Sequence, residues 1–256
     1  MIKSAAEVEQ MSKAWEVTEA GFRRVLGYVQ PGVGEWEIQA EYTHEFIRRG
    51  ARGFAYDPIV ASGANACVLH YVANDQICQD GDLLLMDVAS EWNGWNSDMT
   101  RTIPVNGKFT PRQRAVYEAV LRVMQYADSV LRPGISLGQY QTQVQKEMGR
   151  ELVQLDLISQ EELDSEQWLQ AVRRYFMHGT SHHLGIDVHD VMSPNCVVEE
   201  GMVFTIEPGI YIQEEAIGIR LEDNYWVRAE GNVNLSASVP LDPDEIEALM
   251  QGNQSV

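Results

Sequence analysis

Gly81–Asp87, GDLLLMD, is echoed in the second half of the chain by Gly201–Glu207, GMVFTIE. Each has a turn-forming glycine, an apolar run and a carboxylate six residues after the glycine. Both runs are short for a helix and bounded by turn residues, so both read as buried strands. Working outward, His70 lies 11 residues before Gly81 and His189 lies 12 before Gly201. A second carboxylate follows on each returning strand, Asp98 in the first half and Glu222 in the second. Two apolar strands could match over six residues by chance; four elements in the same order are harder to dismiss. The order implies two similar halves facing each other, with the carboxylates converging at the seam.

The rest of the chain fits around that pair. Ser4 and Glu7 have capping-box spacing, and Val8, Met11, Trp15, Thr18 and Phe22 recur at helical intervals. Pro31-Gly32 breaks this helix, and a second is expected from about Glu35 to Arg49, stopped by Gly50. Asn93-Gly94 marks a hairpin turn, and Asp98–Val105 reads as the returning strand. Thr110, Pro111 and Gln113 open a third helix that ends at Pro133-Gly134, and Ser136 with Gln139 opens a fourth reaching about Leu155. Residues 156–172 are acidic and read as a loose connection with room for a short helix. Then come the histidine stretch, a strand GMVFTIEPG, a strand GIRLEDNYWV and a capped helix from Asp242. No low-complexity linker interrupts the series. Residues 1–256 are therefore expected to form a single α+β domain, with antiparallel strands and helices.

Composition narrows the functional classes. The chain has 256 residues, 45% hydrophobic and 22% charged, an ordinary globular balance. A net charge of −19 argues against a nucleic-acid partner or an anionic membrane surface, both of which call for clustered Lys and Arg. Cys67, Cys78 and Cys196 are odd in number and widely spaced, which suggests neither a disulfide framework nor a zinc knuckle. The beginning MIKSAAEVEQ has no apolar signal region, and no run approaches the ~20 apolar residues of a membrane span. The expectation is a cytoplasmic protein. Its oligomeric state is left open, a homo-oligomer included.

The chemistry concentrates in His178–Asp190, HGTSHHLGIDVHD, which holds four of the six histidines: His178, His182, His183 and His189. Gly179 and Gly185 argue for a constrained backbone close to something else. Asp87, Asp98, Glu207 and Glu222 cannot all be buried and ionised together unless a cation compensates them. Oxygen ligands with one imidazole suit Mn²⁺, Co²⁺ or Mg²⁺ better than a thiolate zinc site does. Four acids exceed the needs of one ion, and bridging carboxylates commonly hold two ions ~3.5–4 Å apart. The plainer alternative is exposed strand-end charge. For any single acid it is the better reading; for the ordered set it is not.

These residues resemble the catalytic domain of the pita-bread metallopeptidases, and within them the aminopeptidase P (Xaa-Pro aminopeptidase) family. The matching motifs are LHY at 69–71, MDVASEWNGWNSDMTRTIPVNGKFT at 86–110, HGTSHHLGIDVHDV at 178–191, FTIEPGIYI at 204–212 and GIRLED at 218–223. The resemblance implies a pseudo-two-fold pita-bread fold, with helices packed on one side of the strands, and hydrolysis of the N-terminal Xaa-Pro bond of peptides with proline second. It further implies two divalent metal ions, with Mn²⁺ first and Co²⁺ or Zn²⁺ as substitutes. Asp87 would chelate one ion, Asp98 and Glu222 would bridge both, and His182 and Glu207 would complete the second. Water acidified between the cations would attack the scissile carbonyl. Glu207 would act as general base, and His70 and His189 would contact substrate and stabilise the oxyanion. His178 would line the pocket after the scissile bond, and Arg220 would orient Glu222 or bind substrate. Tyr211 is read as packing, and His44 is given no role.

The family pattern is departed from in three places. Relatives generally carry an N-terminal domain that this chain is expected to lack. Position 183 is His where an apolar or aromatic residue is expected, and Ser97 stands where glycine is common. Prolidase, which cuts Xaa-Pro dipeptides, shares all five ligands, but Ser181 matches aminopeptidase P, where prolidases tend to have glycine. Methionine aminopeptidase lacks the HxxGxDxHD form seen at 182–190. A metal-free pita-bread binding module is disfavoured because all five ligands are present.

Overall fold

The computed structural model describes residues 1–193 and 195–253. In the first half, α1 (Ala5–Leu26) and α2 (Glu35–Arg48) precede β1 (Ile59–Ser62), β2 (Leu83–Asp87), the short β3 (Glu91–Trp92) and β4 (Trp95–Asn96), and β5 (Thr100–Pro104). In the second, α3 (Pro111–Val130) and α4 (Leu137–Gln154) lead through the short α5 (Gln160–Asp164) and α6 (Trp168–Arg173) to the later strands. These are β6 (Val203–Ile206), β7 (Gly209–Ile212), β8 (Ile217–Arg220), β9 (Asp223–Trp226) and β10 (Val233–Asn234), followed by α7 (Pro243–Asn253).

Local chemistry sets the helix starts. At Ser4, Thr110 and Ser136 the side chain accepts the N–H three residues on, and Glu7, Gln113 and Gln139 reach back to the cap backbone. Asp242 caps α7 by accepting the N–H groups of Asp244 and Glu245. The expected stripe Val8, Met11, Trp15, Thr18 and Phe22 is the buried face of α1. The acidic connection holds two short helices, α5 and α6, where one was expected.

The strands form two three-stranded antiparallel sheets, β1-β2-β5 and β6-β9-β10, plus the hairpins β3-β4 and β7-β8. The β3-β4 turn places Asn93 at φ 52° and Gly94 at φ 84°. Both are left-handed, as a two-residue turn matching strand twist requires. The echoed strands are equivalent: β2 pairs with β5, Asp87 opposite Thr100, and β6 pairs with β9, Ile206 opposite Asp223. Each half also has its helix pair, α1 on α2 and α3 on α4. The architecture is the pseudo-two-fold α+β arrangement expected from the echo.

Two expected strands are each split. GMVFTIEPG breaks after β6, where Pro208 has no N–H to continue a ladder. GIRLEDNYWV becomes β8, paired with β7, and β9, paired with β6. Glu222 sits at this second break, and its N–H donates to Thr100 O at 3.0 Å, joining the two halves at the seam. Arg101 reinforces the join from a fully buried position. Its guanidinium donates to Thr100 O, Glu222 O and Pro240 O and pairs with Asp223 at 2.6 Å. The apolar core continues across both halves, from Phe22 and Met86 through Tyr117 and Tyr140 to Phe204 and Ile219.

Candidate metal centre

The acidic residues sit where strands end. Asp87 closes β2, Asp98 precedes β5, Glu207 follows β6, and Glu222 occupies the break between β8 and β9. His182 is tied alongside β6, its N–H donating to Thr205 Oγ1 and its carbonyl accepting from Thr205 N. All five line one cavity of about 480 Å³. His70, His178, His189 and Arg220 line it too, so every residue to which the resemblance gives a metal-binding, catalytic or substrate role reaches the same space. Its apolar wall comes from Tyr56, Ile59, Leu69, Val72 and Val188. His44 is exposed on α2 and lies outside it.

Asp98, His182 and Glu222 offer ligand atoms that all lie within 4.8 Å of one another. His182 Nε2 lies 3.3 Å from Asp98 Oδ2 and 3.5 Å from Glu207 Oε1. Its Nδ1 lies 3.0 Å from His183 O. A carbonyl only accepts, so Nδ1 carries a proton and Nε2 faces the acids. Glu222 Oε2 accepts from Thr100 Oγ1 at 2.7 Å. Asp87 Oδ2 pairs with Arg220 Nη2 at 2.6 Å, while the buried Oδ1 has no partner among the described residues.

Burial pushes Glu207 up to about 7, with Asp98 and Asp87 adding to the rise and His182 and Arg220 opposing it. Burial, then Asp98, Glu207 and Asp87, hold Glu222 well above the usual carboxylate range. Asp87 is also raised, by burial and against the pull of Arg220. Burial lowers His182, but the hydrogen bond and charge of Asp98, then Glu207, outweigh it and lift the ring to about 9. Burial leads the rise of the three acids, and the negative charge gathered beside it adds to that rise and lifts His182; one arginine and one imidazole do not offset it. The orphaned Asp87 oxygen and the oxygen-rich donor set fit divalent cations of the hard or borderline kind.

A second layer runs beside the acids. His178 Nδ1 lies 2.7 Å from Gly179 O and so donates, leaving Nε2 to accept from Tyr211 OH at 2.9 Å. Tyr211 OH in turn accepts from Arg220 Nη1 at 2.9 Å. Burial, then the charge of Arg220, lower His178 to about 4, so the ring is neutral. Arg220 Nε donates to Thr100 Oγ1, and its carboxylate partner is Asp87, not Glu222. Tyr211, read as packing, is instead the polar link between His178 and Arg220. Its position four residues after Glu207 in FTIEPGIYI was the available signal. Tyr56, half-buried beside Asp87, had no such signal.

Three sequence features lie away from the cavity. His183 is buried against Phe204, with ring centroids 4.2 Å apart, and its Nε2 meets Cys196 Sγ at 3.4 Å. Ser181 Oγ meets Tyr140 OH at 3.0 Å and is not a lining residue. Ser97 Oγ bonds Thr18 Oγ1 and Ser90 O, using a hydroxyl that glycine would lack to hold the turn against α1. Of the two glycines, Gly185 is crowded: a Cβ there would lie 2.4 Å from Asp190 Oδ2. Gly179 is open.

Residues 9–229 match the model of metallopeptidase family M24. A curated relative, the Xaa-Pro aminopeptidase of Escherichia coli K12, is 42% identical over 262 residues, covering 98% of this chain and 59% of the relative. Among solved structures, proline aminopeptidase P II from Yersinia pestis superposes with a TM-score of 0.92 at 44% identity, over 98% of this chain and 60% of its own. Zinc-substituted E. coli aminopeptidase P in complex with product gives 0.94 at 41% identity, over 100% of this chain and 60% of its own. The chain spans about three fifths of the length of the relatives it matches. No helix among the described residues is long and apolar enough to cross a membrane.

Proposed function

The chain belongs to metallopeptidase family M24, and on that premise we propose that residues 1–256 act as one catalytic domain hydrolysing the N-terminal Xaa-Pro bond of peptides. The observation that carries the reading is the convergence of Asp87, Asp98, His182, Glu207 and Glu222 on one cavity beside three further histidines. Asp87 would hold one cation, Asp98 and Glu222 would be shared, and His182 and Glu207 would serve a second, with Mn²⁺ the first choice and Co²⁺ or Zn²⁺ as substitutes. When bound, the cations supply Lewis-acid polarisation and a nucleophile at neutral pH.

The chain's own groups do the rest. Glu207 takes the proton of the attacking water and returns it to the departing imide nitrogen. His70 and His189 face the cavity from opposite halves of the chain and donate to the carbonyl oxygen as charge develops on it. Desolvation, then the charge of His182, hold the His189 ring below the ordinary imidazole range. Both ring nitrogens of His178 are engaged by Gly179 and Tyr211, so it offers carbon surface to a pyrrolidine ring. Arg220, committed to Asp87, Thr100 and Tyr211, acts on Asp87 rather than on substrate.

The substrate class is tested with Ala-Pro-Ala, Ala-Ala-Ala, Ala-Pro and Met-Ala-Ser under matched Mn²⁺. Release of alanine from Ala-Pro-Ala should exceed the rest, by roughly 10–200-fold over Ala-Ala-Ala if one pocket contact decides it. Preference for Ala-Pro would make the protein a prolidase, and preference for Met-Ala-Ser would overturn the proline reading.

A further inference from the structure

We propose that Lys3 is a positioning residue for His189, acting through a buried ion pair with Asp190. The proposal rests on the reading of His189 as a substrate-contacting group. Lys3 Nζ lies 2.8 Å from Asp190 Oδ2, with side-chain exposures of 4% and 12%. Lysine is rarely buried so completely unless a partner compensates it. Asp190 Oδ1 accepts from Val191 N at 2.9 Å, so both carboxylate oxygens are engaged.

The pair closes a loop. Asp190 N donates to His183 O at 3.0 Å, and Gly185 N donates to Asp187 O at 3.1 Å, folding 183–190 back on itself. The Lys3 stem and the Asp190 carboxylate lie directly against Gly185, where a side chain would meet both. Lys3 is itself fixed, its N–H donating to Gly201 O at 2.7 Å. From the other half, Asn96 N donates to Gly185 O and Asn96 Nδ2 to Ile186 O.

His189 is the residue before Asp190, and its ring stands edge-on to that of His182 with centroids 4.4 Å apart. Among the described residues no hydrogen bond reaches the His189 ring. Its aim into the cavity is therefore set by the backbone that Asp190 anchors. Losing the anchor leaves the donor present but misplaced, and a misplacement of about 1 Å is enough to cost up to ~10²-fold in rate.

The test is a double-mutant cycle with Lys3→Met, Asp190→Asn and His189→Ala, read as kcat and KM on Ala-Pro-Ala at fixed Mn²⁺, alongside amide exchange. Lys3→Met should lower kcat about tenfold with KM within about twofold. Asp190→Asn should match it, Lys3→Arg should recover part of the loss, and neither Lys3→Met nor Asp190→Asn should cost further rate in the His189→Ala background. The amides of Gly185 and Asp190 should exchange faster in Lys3→Met while those of α3 and α4 do not. Unchanged kcat in Lys3→Met, or losses that multiply with His189→Ala, would overturn the proposal. Exchange that rises across the whole fold would reduce the pair to a stabilising contact and overturn it too. If the unaltered protein cleaves no peptide, the substrate reading fails, and the exchange arm alone decides whether Lys3 holds the loop.

Discussion

Two arginine–aspartate pairs lie at the seam, both at 2.6 Å, and they differ in what surrounds them. Arg101–Asp223 is closed. The guanidinium also donates to three carbonyls, and Asp223 Oδ2 accepts from Asn234. Arg220–Asp87 is open. The arginine is satisfied, but Asp87 Oδ1 is buried with no partner among the described residues, at the wall of the cavity. A buried charge pair contributes little net stability unless its remaining lone pairs are satisfied. The completed pair therefore reads as a clasp between the halves, and the incomplete one as part of an oxygen-rich site whose chemistry fits positive charge. Chemical identity does not separate structure from function here; completeness of the hydrogen bonding does.

Substitution on the open side should strike rate. Glu207→Gln removes a proposed ligand and the candidate base together, and kcat on Ala-Pro-Ala should fall by roughly 10²–10⁴. Asp87→Asn should cost more than about hundredfold, because the amide replaces a charged donor while Arg220 keeps its other contacts. In neither case should the metal-free thermal midpoint drop, since each removes a repelling charge. On the closed side the outcome reverses. Asp223→Asn leaves Arg101 buried without its counter-charge, which should cost about 3–5 kcal/mol of stability in denaturant titration. Loss of stability in Asp87→Asn equal to that in Asp223→Asn would erase the distinction between the pairs.

Acidity offers a gentler probe. In the fold Glu207 holds its proton up to about 7 against an ordinary 4.5, and His182 up to about 9 against 6.5. Both values are raised, so both groups favour the folded state at low pH. That contribution is lost as pH climbs through about 4.5–7 for Glu207 and 6.5–9 for His182. His178, lowered to about 4, has completed its opposite effect by 6.5. The metal-free thermal midpoint should therefore fall by a few degrees between pH 6.5 and 9. Saturating Mn²⁺ should remove the decline if it binds the deprotonated ligands as proposed. A flat metal-free profile would contradict the crowding of charge described for the site.

What the sequence disclosed and what it concealed follow from range. Helix starts at Ser4, Thr110 and Ser136 depend on residues three apart, so they are legible locally. The echo of GDLLLMD and GMVFTIE exposed the two-fold plan because equivalent strands repeat their pattern. Where GIRLEDNYWV changes sheets at Glu222 was hidden, since alternation says which residues are buried and not against which neighbour. The choice of Asp87 as partner for Arg220 runs between β8 and β2, and Lys3 meets Asp190 from the opposite half of the chain. Tyr211 looked like packing because its ring is buried, and only the placement of His178 and Arg220 around its hydroxyl shows the polar role. His183, noted as a departure from the family pattern, faces Phe204 and Cys196 and leaves the cavity untouched.

The central claim is that the converging carboxylates exist to hold divalent cations that hydrolysis requires. Elemental analysis of the purified protein, paired with Ala-Pro-Ala turnover before chelation, after exhaustive chelation and after titration with Mn²⁺, tests it most directly. The account predicts that turnover vanishes when metal is removed and returns to its plateau as Mn²⁺ approaches about two ions per chain. Full turnover in protein shown to contain no metal would contradict it.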